Sequence, residues 1–187
     1  MKCCKASGSV LGGIGLIAVL AFTLAWLFAS LIDTTWIFGV DMLSDLGVSD
    51  TDAKYFFNYG CMIAGLLVLI FGAYGATLNE SIGHQIASIL LIFAGIMLMG
   101  IGFFPESTDY HTPIGYALIV FTFCSMISMT ASDWKLGHLV PGGVAVVLIV
   151  ITLWYVAFEP VGAMVETVAV ICGLIWLAVQ GCKFIAE

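Results

Sequence analysis

Ser44, Asp45 and His111 form a candidate catalytic set in this sequence, because their types can carry out covalent chemistry together. A serine hydroxyl becomes a nucleophile when an imidazole accepts its proton, and a carboxylate can assist that pair. Ser44 and Asp45 are adjacent, whereas His111 lies far along the chain, so the fold must bring them together. Structural roles are the alternative. Ser and Asp before Leu46-Gly47 are common helix caps, and His111 is typical of an exposed imidazole at a membrane interface.

Several carboxylates and one amide accompany these residues. Oxygen and nitrogen donors of this kind suit a divalent cation, and a bound metal ion could activate water against an ester, amide or phosphoester. The candidate metal ligands are Asp45, Glu106, Asp109 and His111. A wider binding or structural cluster adds Asp41, Asn58 and Glu166 to Glu106 and Asp109. A carboxylate inside a membrane helix normally finds a partner, so Glu166 is expected to clamp the loops or to line a pocket.

The composition shows which class of protein must position these side chains. Of the 187 residues, 62% are hydrophobic and 9% are charged, and the mean hydropathy is +1.16. A soluble protein is about 25% charged, so the composition indicates a membrane protein with little soluble mass. Five Lys+Arg against 12 Asp+Glu give a net charge of -7, which excludes a nucleic-acid binder that neutralises phosphates with a basic patch. Such high hydrophobicity also excludes intrinsic disorder.

Six apolar stretches are long enough to cross the hydrocarbon layer as helices, which takes about 20 residues. They occupy residues 10–32, 55–78, 84–104, 112–132, 138–158 and 162–182. All connections but the first are short, so consecutive helices must run antiparallel and pack side by side. We therefore predict an all-α, polytopic transmembrane six-helix bundle that forms a single domain over residues 1–187. Thr112 and Pro113 are predicted as the N-cap and first residue of the fourth helix.

The lysines predict the orientation of the bundle. An even number of spans puts both termini on one side, together with Lys2, Lys5, Lys135 and Lys183, and leaves Lys54 opposite. The positive-inside rule then places both termini in the cytoplasm. The polar residues singled out above converge near the opposite, outer surface. We expect nothing comparable at the inner end.

The order of several short motifs resembles a known family. Ser44-Asp-Leu-Gly47 follows the first helix, Phe57-Asn58 opens the second, and Gly102-x-x-Pro105 precedes His111. This pattern resembles a prokaryotic six-span membrane family catalogued as a domain of unknown function, number nine hundred ninety-eight. It is more distantly similar to the Frag/DRAM/Sfk membrane proteins. The resemblance implies a prokaryotic cell membrane and the same architecture, but no activity.

Three functions remain open at this point. We favour a non-catalytic module that binds a lipid, an ion or a partner through the outer polar residues. The alternative is a metal-dependent membrane hydrolase or lipid-modifying enzyme at the outer leaflet, with Ser44 and His111 as a metal-free variant. A transporter is disfavoured because ionisable residues near the membrane midplane are missing from the first five predicted spans.

Cofactor and partner predictions follow from the same residues. A divalent metal suits the outer donors, whereas haem is not expected because His84 and His138 lie at the water-facing starts of their helices. Membrane lipids are the expected partners, and no nucleic acid is expected. The small-xxx-small pairs Gly8/Gly12, Gly72/Ala76 and Ala169/Gly173 suit close helix packing, within the chain or in a homo-oligomer. Cys3 and Cys4 are either free thiols or acylated.

Overall fold

Six long helices and one short 3-10 helix form the described part of the chain in a computed structural model, which covers residues 2–78, 81–160 and 162–186, with side chains from residue 8 onward. The long helices are α1 (Lys2–Ile32), α2 (Ala53–Leu78), α3 (Ile82–Phe103), α4 (His111–Leu136), α5 (Leu139–Phe158) and α6 (Ala163–Ala186). The 3-10 helix is Leu43–Val48, and no β-strand occurs within these ranges. All six long helices are long and apolar enough to span a membrane, so the predicted six-helix bundle is confirmed. The prediction about Cys3 and Cys4 lies outside the described side chains.

The helices form a ring in which each packs against its neighbours in sequence and α6 returns to α1. Glycines allow the closest approaches. A Cβ atom on Gly12 would collide with the carbonyl of Gly181 in α6, and one on Gly72 would lie 2.6 Å from the carbonyl oxygen of Ser88 in α3. The small-residue pairs that contain Gly12 and Gly72 are therefore packing seams inside the chain. A homo-oligomer remains a prediction, and its interface cannot be formed by these two glycines because they already pack inside the chain.

Polar side chains fold the connection between α1 and α2 back over the bundle. The Asp33 carboxylate accepts hydrogen bonds from the Thr35 amide (3.0 Å), the Thr35 hydroxyl (2.6 Å) and the Ser49 hydroxyl (2.6 Å). The bonds from Ser49 and Thr35 stabilise the charged form, which lowers the pKa of Asp33. The indole N–H of Trp36 donates to the Met42 carbonyl at 2.8 Å. These bonds hold the 3-10 helix against the end of the ring where α1 ends and α2 begins. We name this the outer end, and the opposite end the inner end, after the orientation that the lysines predict.

Two helices extend beyond their predicted ends because of a buried charge pair. The apolar windows stop at residues 132 and 182, yet α4 continues to Leu136 and α6 to Ala186. Asp133 was predicted to lie in a loop. Instead it lies inside α4, where its carboxylate accepts a hydrogen bond from the ammonium of Lys183 in α6 at 2.7 Å. The pairing satisfies both charges inside the bundle, so neither residue has to end its helix.

The start of α4 also differs from the prediction. The helix begins at His111 with Tyr110 as the N-cap, not with Thr112 as the N-cap and Pro113 as the first residue. Pro113 is thus the third helical residue. Its missing N–H costs nothing there because the first amide groups of a helix have no intrahelical acceptor.

Candidate functional site

The 3-10 helix presents Ser44 to the interior and uses Asp45 for its own structure. The Asp45 carboxylate accepts a hydrogen bond from the Met42 amide at 2.7 Å, which is a capping interaction. Ser44 is buried, with 3% of its surface exposed, and lines an interior cavity. Helix capping, the structural role that we considered for both residues, therefore applies to Asp45. Ser44 instead lies where a molecule in the cavity would contact it.

Glu166 joins α6 to the same 3-10 helix. Its carboxylate accepts a hydrogen bond from the amide of Leu43 at 2.7 Å, and it also borders the cavity. Ser44 interacts with this carboxylate as well. Both expectations for Glu166 thus describe one arrangement, because the residue clamps the outer connection and lines a pocket.

His111 and Glu106 complete the outer end of the cavity. The Nδ1–H of His111 donates to the Phe104 carbonyl at 2.8 Å, and since a carbonyl can only accept, this bond fixes the hydrogen on Nδ1. The Nε2 atom of the neutral ring then carries a lone pair. His111 is 8% exposed, so the prediction of an exposed imidazole is wrong. Its side chain lines the cavity.

Glu106 lies in an unfavourable environment for a charged carboxylate. Desolvation raises its pKa above the ordinary value of 4.5, and the negative charge of Asp45 raises it further, while Ser44 and His111 act in the opposite direction. Its Oε2 atom is fully buried and has no hydrogen-bond partner within the described residues. We name Ser44, Asp45, Glu106, His111 and Glu166 the outer cluster.

A cavity of about 300 Å³ extends from the outer cluster into the ring. All six long helices contribute to its wall, and apart from the outer cluster most of the lining is apolar. Trp176 lines it ten residues along α6 from Glu166, which corresponds to a depth of about 15 Å at the helical rise per residue. Tyr116 and Ile119 of α4 line the cavity and are also 58% and 43% exposed on the lipid-facing surface. At these two positions the side chains that line the cavity also reach the outer surface of the helix bundle.

Three other residues of the predicted cluster have different roles. The Asp41 carboxylate accepts the Ile37 amide at 2.7 Å and closes a turn outside the cavity. Asp109 is exposed, and the Asn58 amide donates to the Gly47 carbonyl at 2.9 Å. In the part of the chain that the structure describes, no three His, Cys, Asp or Glu side chains are grouped so that they could hold a metal ion. Asp45, Glu106, Asp109 and His111 are thus not assembled as the predicted metal site.

Comparison with known proteins gives a family. Residues 16–182 match the family described as "Protein of unknown function (DUF998)". The chain belongs to this family. No curated protein and no solved structure matches it, and the more distant resemblance to Frag/DRAM/Sfk proteins receives no support.

The motifs that resemble the DUF998 family have a clear packing role here. A Cβ atom on Gly47 would lie 2.6 Å from the Asn58 side-chain oxygen and 3.3 Å from Phe57 Cδ1. Leu46 is fully buried and Phe57 is 4% exposed. Ser-Asp-Leu-Gly and Phe-Asn thus fit one another across the outer end of the DUF998 chain.

Gly47→Ala is expected to destabilise the protein by about 1–3 kcal/mol, because the added methyl group displaces Asn58 from the Gly47 carbonyl. Thermal unfolding in mild detergent measures the change. Gly143→Ala is the matched control, since a Cβ atom there meets nothing within 4 Å. An equal melting temperature for the Gly47 variant and the wild type would contradict this packing.

Glu106→Gln is expected to raise the melting temperature at pH 8. The folded-state pKa of Glu106 is raised, so its protonation favours the folded state, and that contribution is lost as the pH rises through the folded pKa. A glutamine stays neutral, so its advantage should shrink toward zero as the pH falls to about 4.5. Asp109→Asn, an exposed change of the same charge, is the control. An advantage that does not depend on pH would contradict the assignment.

A second buried polar group lies at the inner end, where the sequence indicated nothing comparable. The Asp133 carboxylate, fully buried, accepts hydrogen bonds from His84 at 2.9 Å, Gln180 at 3.0 Å and Lys183 at 2.7 Å. We name these four residues the inner cluster. Gln180 and Lys183 are three residues apart and so share one face of α6. This spacing, together with an aspartate near the predicted end of α4, was the sequence signal from which the inner cluster could have been predicted.

Proposed function

We propose that this DUF998 protein binds one amphipathic molecule from the membrane, with its hydrocarbon chain in the cavity and its polar end at the outer cluster. The observation that carries the proposal is continuity: one cavity reaches from Glu166 and Glu106 to Trp176. A volume of about 300 Å³ lies at the lower end of the usual range for small-molecule sites. An apolar wall with a few polar groups at one end matches the chemistry of a lipid-like molecule.

The exposed lining residues Tyr116 and Ile119 of α4 support entry from the lipid layer. α4 and α6 make few contacts with each other, and they face each other across the cavity. α5 joins them, but from α5 only Thr152 lines the cavity. A hydrocarbon chain can therefore move from the bilayer between these helices without leaving an apolar environment.

Trp176 provides a natural reporter for an occupant. Its side chain is 1% exposed and lines the cavity at the end opposite the outer cluster. A hydrocarbon chain whose polar end lies at the outer cluster would bring its far end close to this indole ring.

Fluorescence quenching tests the proposal. Dodecanol brominated at the far end of its chain is added to the protein in phosphocholine nanodiscs, and the Trp176→Phe variant reports quenching of the other tryptophans. We expect a saturable component of quenching that Trp176→Phe lacks. If wild type and variant lose the same absolute intensity, in linear proportion to the probe, the chain does not enter the cavity and the proposal fails.

Hydrolysis is the second candidate, because Ser44 and His111 line the same cavity and the bond from His111 Nδ1 to Phe104 leaves the lone pair of the neutral ring on Nε2, the atom that would act as the base. An acetate ester of the same alcohol distinguishes the two functions. Binding without cleavage supports the binding module. Water-dependent release of alcohol and acetate that disappears in Ser44→Ala would instead favour the enzyme.

A further inference from the structure

The outer end of the cavity contains several acidic groups, and His111 is the only basic residue beside them among the described side chains that line the cavity. Glu106 and Glu166 line it, and Asp45 adds a third negative charge close to Glu106. The sequence contains no arginine, and no lysine among the described side chains lines the cavity. Lys183 is bound to Asp133 at the inner end, and Lys54 lies over the ring of Tyr55 at 5.6 Å.

An acceptor atom without a donor marks the point where a ligand would contact this group. The Glu106 Oε2 atom is buried and no hydrogen-bond donor reaches it within the described residues. Carboxylate oxygens can only accept, so the missing partner is an N–H or O–H group. The same carboxyl group interacts with the side chains of Ser44 and Asp45, and a donor on a bound molecule would satisfy the remaining oxygen atom.

We propose that the head group of the bound amphiphile is an amine in its ammonium form, held between the carboxylates of Glu106 and Glu166 beside Ser44. This inference rests on the proposed function and adds the chemical class of the ligand. An ammonium group offers three donors and a positive charge, and charge-assisted hydrogen bonds are about twice as strong as neutral ones. A phosphate or carboxylate head would meet like charges in a poorly solvated site.

The distribution of charge along the cavity agrees with an ammonium head group at the outer end. From the outer cluster inward the cavity wall contains no further acidic side chain and no Lys, Arg or His among the described residues. The next charges belong to the inner cluster, where Asp133 is already satisfied by Lys183, Gln180 and His84. An ammonium head thus has one favourable position, at the outer end.

A head-group series in the Trp176 quenching assay tests the inference. The probes are dodecylamine, dodecanol and dodecyl phosphate, each brominated at the far end of the chain and measured at pH 7.5 in phosphocholine nanodiscs. Quenching of the remaining tryptophans in Trp176→Phe measures how much of each probe is in the bilayer. We expect half-saturation by the amine at a bilayer concentration at least about tenfold lower than for the alcohol, with the phosphate weakest.

Variants assign the preference to particular carboxylates. Glu166→Gln should bring the ratio of amine to alcohol affinity close to one, while its amide oxygen can still accept the Leu43 amide. Asp109→Asn removes the same charge from the exposed surface of the outer end and should leave the ratio unchanged. Glu106→Gln is the second cavity variant if the Glu166 variant does not fold, and the same fall in the ratio is expected.

The possible outcomes separate the two proposals. If all three head groups quench Trp176 equally, or if the phosphate binds most tightly, the ammonium head group is wrong and the cavity still binds chains. If the amine preference persists unchanged in both carboxylate variants, the assignment to Glu106 and Glu166 is wrong. If no probe quenches Trp176, the binding function itself fails.

Discussion

Lys183→Met is expected to lower the free energy of unfolding by about 3–5 kcal/mol, the effect of breaking a buried ion pair by removing one partner. The Asp133 carboxylate is fully buried, and Lys183 is the only lysine among the described side chains that contacts it. Without the ammonium group it would keep the bonds from His84 and Gln180 but lose its opposite charge. Denaturant unfolding in mild detergent measures the loss.

A change of Asp133, the other partner of the ion pair, tests whether the lost stability comes from the unpaired charge. Asp133→Asn in the Lys183→Met background removes the unpaired charge and should recover most of the lost stability, giving a favourable coupling in a double-mutant cycle. Lys135→Met, an exposed change of the same charge on α4, should have little effect. If Lys183→Met is no more harmful than Lys135→Met, then the inner cluster does not hold α4 and α6 together.

Gly173→Leu is expected to abolish the Trp176-dependent quenching without destabilising the protein. A Cβ atom on Gly173 meets only the Thr122 methyl group at 3.9 Å, because Gly173 borders the cavity. The leucine side chain would occupy the volume assigned to the hydrocarbon chain. Filling an empty apolar volume and removing a helical glycine both favour the folded state, so the melting temperature should stay the same or rise.

Gly95→Leu is the matched comparison, since the same substitution meets no free volume there. A Cβ atom on Gly95 would lie 2.6 Å from the backbone carbonyl oxygen of Gly65 and 2.6 Å from the amide nitrogen of Leu69. This variant should be strongly destabilised. If the Gly173 variant still gives full Trp176-dependent quenching, the chain does not occupy the cavity.

The helices were predictable because continuous apolar stretches have one stable form in a membrane. Their backbone groups must be satisfied within each segment, so length and hydropathy suffice to find six helices. Helix ends were less predictable where a charge is buried. Asp133 and Lys183 look like loop residues in isolation, and their pairing depends on α4 and α6 approaching each other at the inner end.

The candidate site was predictable in part. Ser44, Asp45, Glu106, His111 and Glu166 were expected to converge, because the topology brings their segments to one end, and they do so. Asp41 and Asp109 belong to the same end but lie outside the cavity. The sequence does not show this, because it does not give the direction of side chains within short connections.

The cavity could not be predicted from the sequence. An empty volume results from how far two helices stand apart, and the residues that border it, such as Gly173 and Trp176, are also ordinary packing residues. The unpartnered Glu106 Oε2 atom becomes informative only once its surroundings are known.

Native mass spectrometry of the protein released gently from its own membrane tests the central claim most directly. We predict one tightly held amphiphile per chain, with an amine group, that is lost in Gly173→Leu while weakly bound annular lipids are lost equally from both proteins. A wild-type chain observed only at its own mass, or an adduct retained to the same extent by Gly173→Leu, would contradict the account.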